Sequence, residues 1–248
     1  MSSQHETQPR SGDSPQFTTT HWSVVLAAGE QNHAQADAAL EKLCRTYWYP
    51  LYAYVRKRGQ SPQDAQDLTQ EFFARLLARE GFTKVRQEQG RFRSFLLASL
   101  KHFLSDARDH AQAQKRGGGL TIISLDDSQA EARYELEPQD HLTPELIFER
   151  RWAYALLETV VNRLRDEFVL ADKRTQFEAL KPFLLGESRG MTCADAAGRC
   201  GLTEAAAKMS ISRMRRRYRE ILRDEIAHTV AHPGEIDDEL RQLLAVIS

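Results

Sequence analysis

Residues 192–222, TCADAAGRCGLTEAAAKMSISRMRRRYREIL, constrain the fold more than any other stretch, because they specify two helices and the sharp turn between them. Thr192 followed three residues later by Asp195 is a capping box. Ala197 is small where two helices would cross, Gly201 permits a left-handed turn, and Thr203 caps the second helix. In that second helix Ala207, Ile211, Met214, Tyr218 and Ile221 fall on one side. Lys208, Ser212, Arg213, Arg216 and Arg219 gather on the other, and residues 203–219 carry a net +5. This is helix-turn-helix grammar. A basic helix of this kind fits the major groove, where Arg and Lys donate to guanine edges and further cations neutralise phosphates. The plain alternative is a solvated basic helix on a bundle.

The 248-residue chain has a net charge of only −1, but the signs separate along it: −3 over residues 1–40, +7 over 41–116, −7 over 117–149, +3 over 191–226 and −3 over 227–248. Two basic modules flanking an acidic connector suit modules that share one polyanionic partner; ordinary solvated surface is the competing reading. Helical periodicity begins near Ala38, with Ala39, Leu43, Tyr47, Leu51, Tyr54 and Val55 in register and an interruption at Pro50. Ser61, Pro62 and Asp64 start a helix running to about Arg79, whose polar surface is Asp64, Asp67, Gln70, Glu71 and Arg75. A further helix from Arg91 to about Gln114 sets Phe92, Phe95, Leu96, Leu100, Phe103 and Ala107 opposite Arg91, Ser94, Ala98, Lys101, Ser105 and Arg108. Helices are also expected from Pro144 to about Phe168 and from Arg174 to Leu185, and a short one within Phe17–Ala28. The fold class is therefore all-α, with two small helical domains joined by an acidic linker. The expected parts are a disordered tail (1–16), an N-terminal extension (17–37), a first domain (38–116), the linker (117–142), a second domain (143–226) and a C-terminal extension (227–248).

Residues 192–222 resemble region 4 of the sigma-70 family, and can be laid without a gap on its extracytoplasmic-function (ECF) group through Gly201-Leu202-Thr203, Lys208 and the arginine run. Residues 39–77 are similar to sigma region 2, above all in Asp64-Ala65-Gln66-Asp67-Leu68-Thr69-Gln70-Glu71, and residues 90–106 resemble its promoter-melting helix. The extensions resemble those of long ECF-like sigma factors of environmental bacteria. The resemblance implies a transcription initiation factor with core RNA polymerase and promoter DNA as partners, and it leaves room for an anti-sigma factor. It implies that Asp64, Asp67, Gln70, Glu71 and Arg75 dock on polymerase. Arg91, Arg93, Lys101 and Arg108 would follow the melted minus-ten strand, beside a base-capturing loop at residues 80–90. Lys208, Ser210, Ser212, Arg213, Arg216 and Arg217 would face the minus-thirty-five element, although Ser210 stands where arginine is common and Phe95 where tryptophan is usual. The linker resembles ECF linkers that run through the RNA exit path; a solvated tether is equally consistent with its composition.

No Gly-rich phosphate loop, HExxH, GxSxG or metal-ligand cluster is present, so neither catalysis nor a cofactor is expected. Cys44, Cys193 and Cys200 form no disulfide framework, and packing is the favoured role for Cys193 and Cys200. No apolar run approaches 18 residues and no secretory signal opens the chain, so a cytoplasmic protein, monomeric when free, is expected. Two other functions fit less of the pattern: a polymerase-binding adaptor or sigma antagonist, and a stand-alone helix-turn-helix regulator. The two acidic tails are expected to shield the basic modules in the free protein.

Overall fold

A computed structural model describes residues 33–77, 91–113, 130–136, 142–184, 186, 188 and 190–248. The expected helix within 17–28, the 80–90 connector and most of the linker lie outside these residues. Every regular element described is helical, as the 3.6-residue periodicity requires: α1 (His33–Lys57), α2 (Pro62–Leu77), α3 (Phe92–Ala113), α4 (Ala130–Glu135), α5 (Pro144–Leu170), α6 (Arg174–Leu184), α7 (Cys193–Arg199), α8 (Glu204–Ala227), a 3-10 turn at Pro233–Glu235, and α9 (Ile236–Ile247).

Helix boundaries follow local chemistry. Gly59, at φ +90°, ends α1, and the Ser61 hydroxyl accepts from the Asp64 amide at 3.1 Å to begin α2. Thr143 accepts from Leu146 N at 3.2 Å, and Thr203 accepts from Ala206 N at 3.2 Å. Thr192 and Asp195 satisfy each other's backbone amides in a complete capping box. Gly201 sits at φ +65°, and Leu202 N closes the turn onto Ala197 O at 2.9 Å.

Two expectations are corrected. Helix α1 does not break at Pro50 but runs through it; the proline removes one ladder hydrogen bond, and burial of Tyr47, Leu51, Tyr54 and Val55 outweighs that loss. The acidic linker contains α4, with Ala130 and Tyr134 buried. Tyr52 donates to Glu131 at 2.5 Å and Arg56 donates to its two carboxylate oxygens at 2.6 and 2.9 Å, tying α4 to α1. One buried cluster runs from Cys44 to Leu243, on both sides of residue 142. The reason lies in α5, which buries Ile147, Phe148, Trp152, Ala153, Leu156, Val160 and Leu164. These residues serve two sides: α5 packs along α1 on one, and against α8 and α9 on the other. Arg163 on α5 pairs with Asp224 (2.9 Å) and Glu225 (2.5 Å) of α8, reinforcing the second contact.

Candidate polymerase and nucleic-acid interfaces

Helix α2 turns Ala65, Thr69, Phe72, Phe73 and Leu76 inward, and the buried Thr69 hydroxyl donates to Ala65 O at 2.7 Å. That arrangement leaves Asp64, Asp67 and Arg75 exposed, with Gln70 and Glu71 half-buried. The structure thus brings the five expected polymerase-docking residues onto one accessible surface. Glu71 and Arg75 pair at 2.6 Å across one helical turn, and the Arg75 guanidinium lies 5.0 Å from the Phe103 ring centre. An exposed i,i+4 pair contributes about 0.3 to 0.5 kcal/mol, so it orients these side chains more than it stabilises the fold. Asp64, Asp67 and Glu71 line one wall of a cleft of about 790 Å³ whose other wall includes Lys101 and Glu145.

Helix α3 behaves differently from its sequence pattern. Phe92, Leu96, Leu100 and Phe103 are buried as expected, and Ser94, Ala98 and Ser105 are exposed. The cations are not free. Lys101 pairs with Glu145 at the start of α5 at 2.7 Å, and that contact holds the Glu145 carboxyl below its ordinary value. Arg91 Nε lies 2.8 Å from Glu239 of α9. Arg93 is fully buried, so its assignment to the melted strand is corrected for this conformation. Its Nε donates to Glu149 at 2.6 Å, its Nη1 pairs with Glu239, and its guanidinium lies 4.4 Å from the Trp152 ring centre. Burial pulls the Arg93 guanidinium below its usual range, against the opposing pull of Glu149. The physical reason is register: Arg93 shares its side of the helix with Leu97 and Leu100, both buried. Arg108 lies on α3, with its side chain outside the described residues.

On α8 the expected division holds. Ala207, Ile211, Met214 and Ile221 are buried and Tyr218 half-buried, while Lys208, Ser212, Arg213, Arg216 and Arg219 are exposed. Lys208 pairs with Glu204 at 2.6 Å and Arg216 more loosely with Glu220 at 3.8 Å, both one turn away on the surface. Two residues assigned to the minus-thirty-five face are turned to other work. Ser210 accepts from Gln176 of α6 at 3.0 Å. Arg217 grips Glu167 of α5 through two hydrogen bonds of 2.7 and 2.8 Å, which hold its guanidinium above the ordinary value. Similarly, Arg215 donates twice to Phe183 O, at 2.6 and 3.1 Å. These contacts fix α8 to α5 and α6, and leave Lys208, Ser212, Arg213, Arg216 and Arg219 as the outward set.

The residues missed in the sequence are the carboxylates opposite these cations, Glu145, Glu149, Glu167 and Glu239, and Glu131 opposite Arg56. Glu239 carried a signal. It lies on the stripe Ile236, Leu240, Leu243, Ile247, where a lone acid on an apolar face calls for a buried basic partner. Among the described residues no group of three or more His, Cys, Asp or Glu could hold a metal ion, and no helix is long and apolar enough to cross a membrane.

Residues 43–114, spanning the end of α1, α2 and α3, match the family model Sigma-70 region 2. No curated protein and no solved structure matches the chain. The match covers less than a third of the 248 residues, and it falls on the helices that carry the exposed α2 surface and the paired α3 cations. Over residues 43–114 the chain is similar to sigma-70 region 2.

Proposed function

We propose that the chain is an ECF-type sigma factor that docks on core RNA polymerase through α2, follows the opened minus-ten strand with α3 and reads the minus-thirty-five element with α8. The observation that carries this reading is the conjunction of a matched region 2, whose α2 presents Asp64, Asp67, Gln70, Glu71 and Arg75, with a fully capped helix-turn-helix whose second helix exposes Lys208, Ser212, Arg213, Arg216 and Arg219. Carboxylates on α2 suit a basic or hydrogen-bonding partner surface. Cations on α8 suit base edges and phosphates. On α3, Arg91, Lys101 and Arg108 are the strand-following cations, and Arg93 supports them from the interior. Helix α4 anchors the linker to α1.

The test is in vitro transcription with sigma-free core polymerase of the same host on fragmented genomic DNA, with transcript starts sequenced. Discrete starts that share two upstream motifs at fixed spacing, and that are lost in Arg213→Ala and in Glu71→Ala, establish the function. A second reading is favoured by one observation, the pairing of Arg91, Arg93 and Lys101 with carboxylates: a polymerase-binding antagonist, which would bind core tightly and yield no starts. Absence of core binding would leave a stand-alone DNA-binding regulator.

A further inference from the structure

The C-terminal extension does not lie beside the bundle as a separate tail; it closes onto the start of α3. Thr229 O accepts from the Phe92 amide at 3.1 Å, occupying one of the backbone donors that a helix start leaves unpaired. His228, Thr229 and Val230 are buried at this junction, and Leu243 of α9 is fully buried. Glu239, also fully buried, faces both Arg91 and Arg93. Outside, Arg223 of α8 pairs with Asp237 of α9 at 2.6 Å. The closure is tight at its centre yet electrostatically incomplete: among the described residues, Nη2 of the buried Arg93 has no hydrogen-bond partner. Buried ion pairs gain little over their desolvation cost, and each unsatisfied polar atom adds to it, so such a contact is better suited to holding a specific arrangement than to maximising stability.

The geometry points to α9 as an intramolecular latch. It occupies the N-terminal end of region 2's α3, neutralises Arg91 and Arg93 with one carboxylate, and ties residues 204–247 to that helix, so that the closed chain binds single-stranded DNA weakly until α9 lifts. The α2 surface stays exposed in the closed arrangement, so polymerase has access to the latched protein. The inference rests on the proposed strand-following role of α3, and its experiment separates the two.

Wild type, Glu239→Gln and Arg223→Ala are compared as full chains in two measurements. Hydrogen exchange reads the Phe92 amide and the amides of α9; fluorescence anisotropy at low salt reads the affinity for a fluorescein-labelled single-stranded DNA oligonucleotide. Glu239→Gln keeps Glu149 beside Arg93, and Arg223→Ala loosens α9 from its exposed rim alone, so a variant that retains the fold is available even where the buried change is not tolerated. The latch predicts exchange at Phe92 and α9 accelerated about tenfold or more. It also predicts a roughly tenfold gain in oligonucleotide affinity in Glu239→Gln, smaller in Arg223→Ala, and abolished by adding Arg91→Ala. Unchanged exchange at α9 and Phe92 in both variants overturns the latch. Accelerated exchange with unchanged affinity overturns its guarding of DNA. Transcript starts from the wild type with no gain in either variant would do the same while leaving the sigma-factor reading intact.

Discussion

Helices α3 and α8 are nearly the same length, 22 and 24 residues, and each carries several cations, yet they end in opposite states. Arg93 of α3 is sealed between Glu149, Glu239 and Trp152, whereas Arg213 of α8 is exposed. The difference lies in the neighbours one turn away. Arg93 is followed at i+4 and i+7 by Leu97 and Leu100, so it belongs to the packing side; Arg213 is followed at i+3 and i+4 by Arg216 and Arg217, so it belongs to the wet side. Net positive charge on a helix therefore does not locate an exposed cationic face. The phase of each cation relative to the apolar stripe does, and a cation in phase with that stripe becomes part of the scaffold if carboxylates meet it.

The comparison breaks most visibly at Arg93. Arg93→Ala removes the guanidinium between Glu149 and Glu239, leaves Arg91 as the one cation on the buried Glu239 and empties the space over Trp152, so a loss of about 3 to 5 kcal/mol is expected in denaturant unfolding. Arg213→Ala is expected to leave unfolding unchanged within about 0.5 kcal/mol, while costing about 1 to 3 kcal/mol of discrimination between promoter sequences in competition binding. If both variants destabilise equally, the distinction between scaffold and surface cations fails. Thr192→Ala, which removes the capping box of α7, should cost about 1 kcal/mol and weaken sequence-specific DNA binding without touching any outward cation. A smaller effect is expected at Glu131. Its hydrogen bonds from Arg56 hold the carboxyl below the ordinary value, so the stabilisation is present above the unfolded carboxyl's pKa of about 4.3 and is lost as pH falls through the lower folded value. Protection of the α4 amides, taken relative to the intrinsic exchange rate at each pH, should therefore fall on acidification below the unfolded carboxyl's value. Arg216→Ala should be nearly silent in stability and lower the salt slope of DNA binding by about 1.

What the sequence made legible was local. Ser61, Thr143, Thr192 and Thr203 each cap a helix through an amide three residues ahead, and each was readable because cap and partner are neighbours in the chain. The α2 surface and the outward set of α8 were legible for the same reason, since a single period assigns their sides. The closure of α9 on α3 was not legible: Arg93 and Glu239 are 146 positions apart, and no local pattern states which helices meet. Pro50 misled because its lost hydrogen bond is visible in sequence, whereas the burial around it emerges only after α1 packs. Helix α4 misled in the opposite sense: six residues are too few to show a period, and Tyr134 inside an acidic stretch was the only hint of an inward face.

The carboxylate of Glu239 also works as an angular key. Residues on an α-helix step by about 100°, so an insertion or deletion of one residue between Val230 and Glu235 would turn α9 and present a neighbour such as Asp238 or Leu240 to the two guanidiniums. Only one rotational setting of the terminal helix satisfies both its apolar stripe and the charge beneath it. The length of the turn after α8 is thereby fixed by the pairing of Glu239 with Arg91 and Arg93.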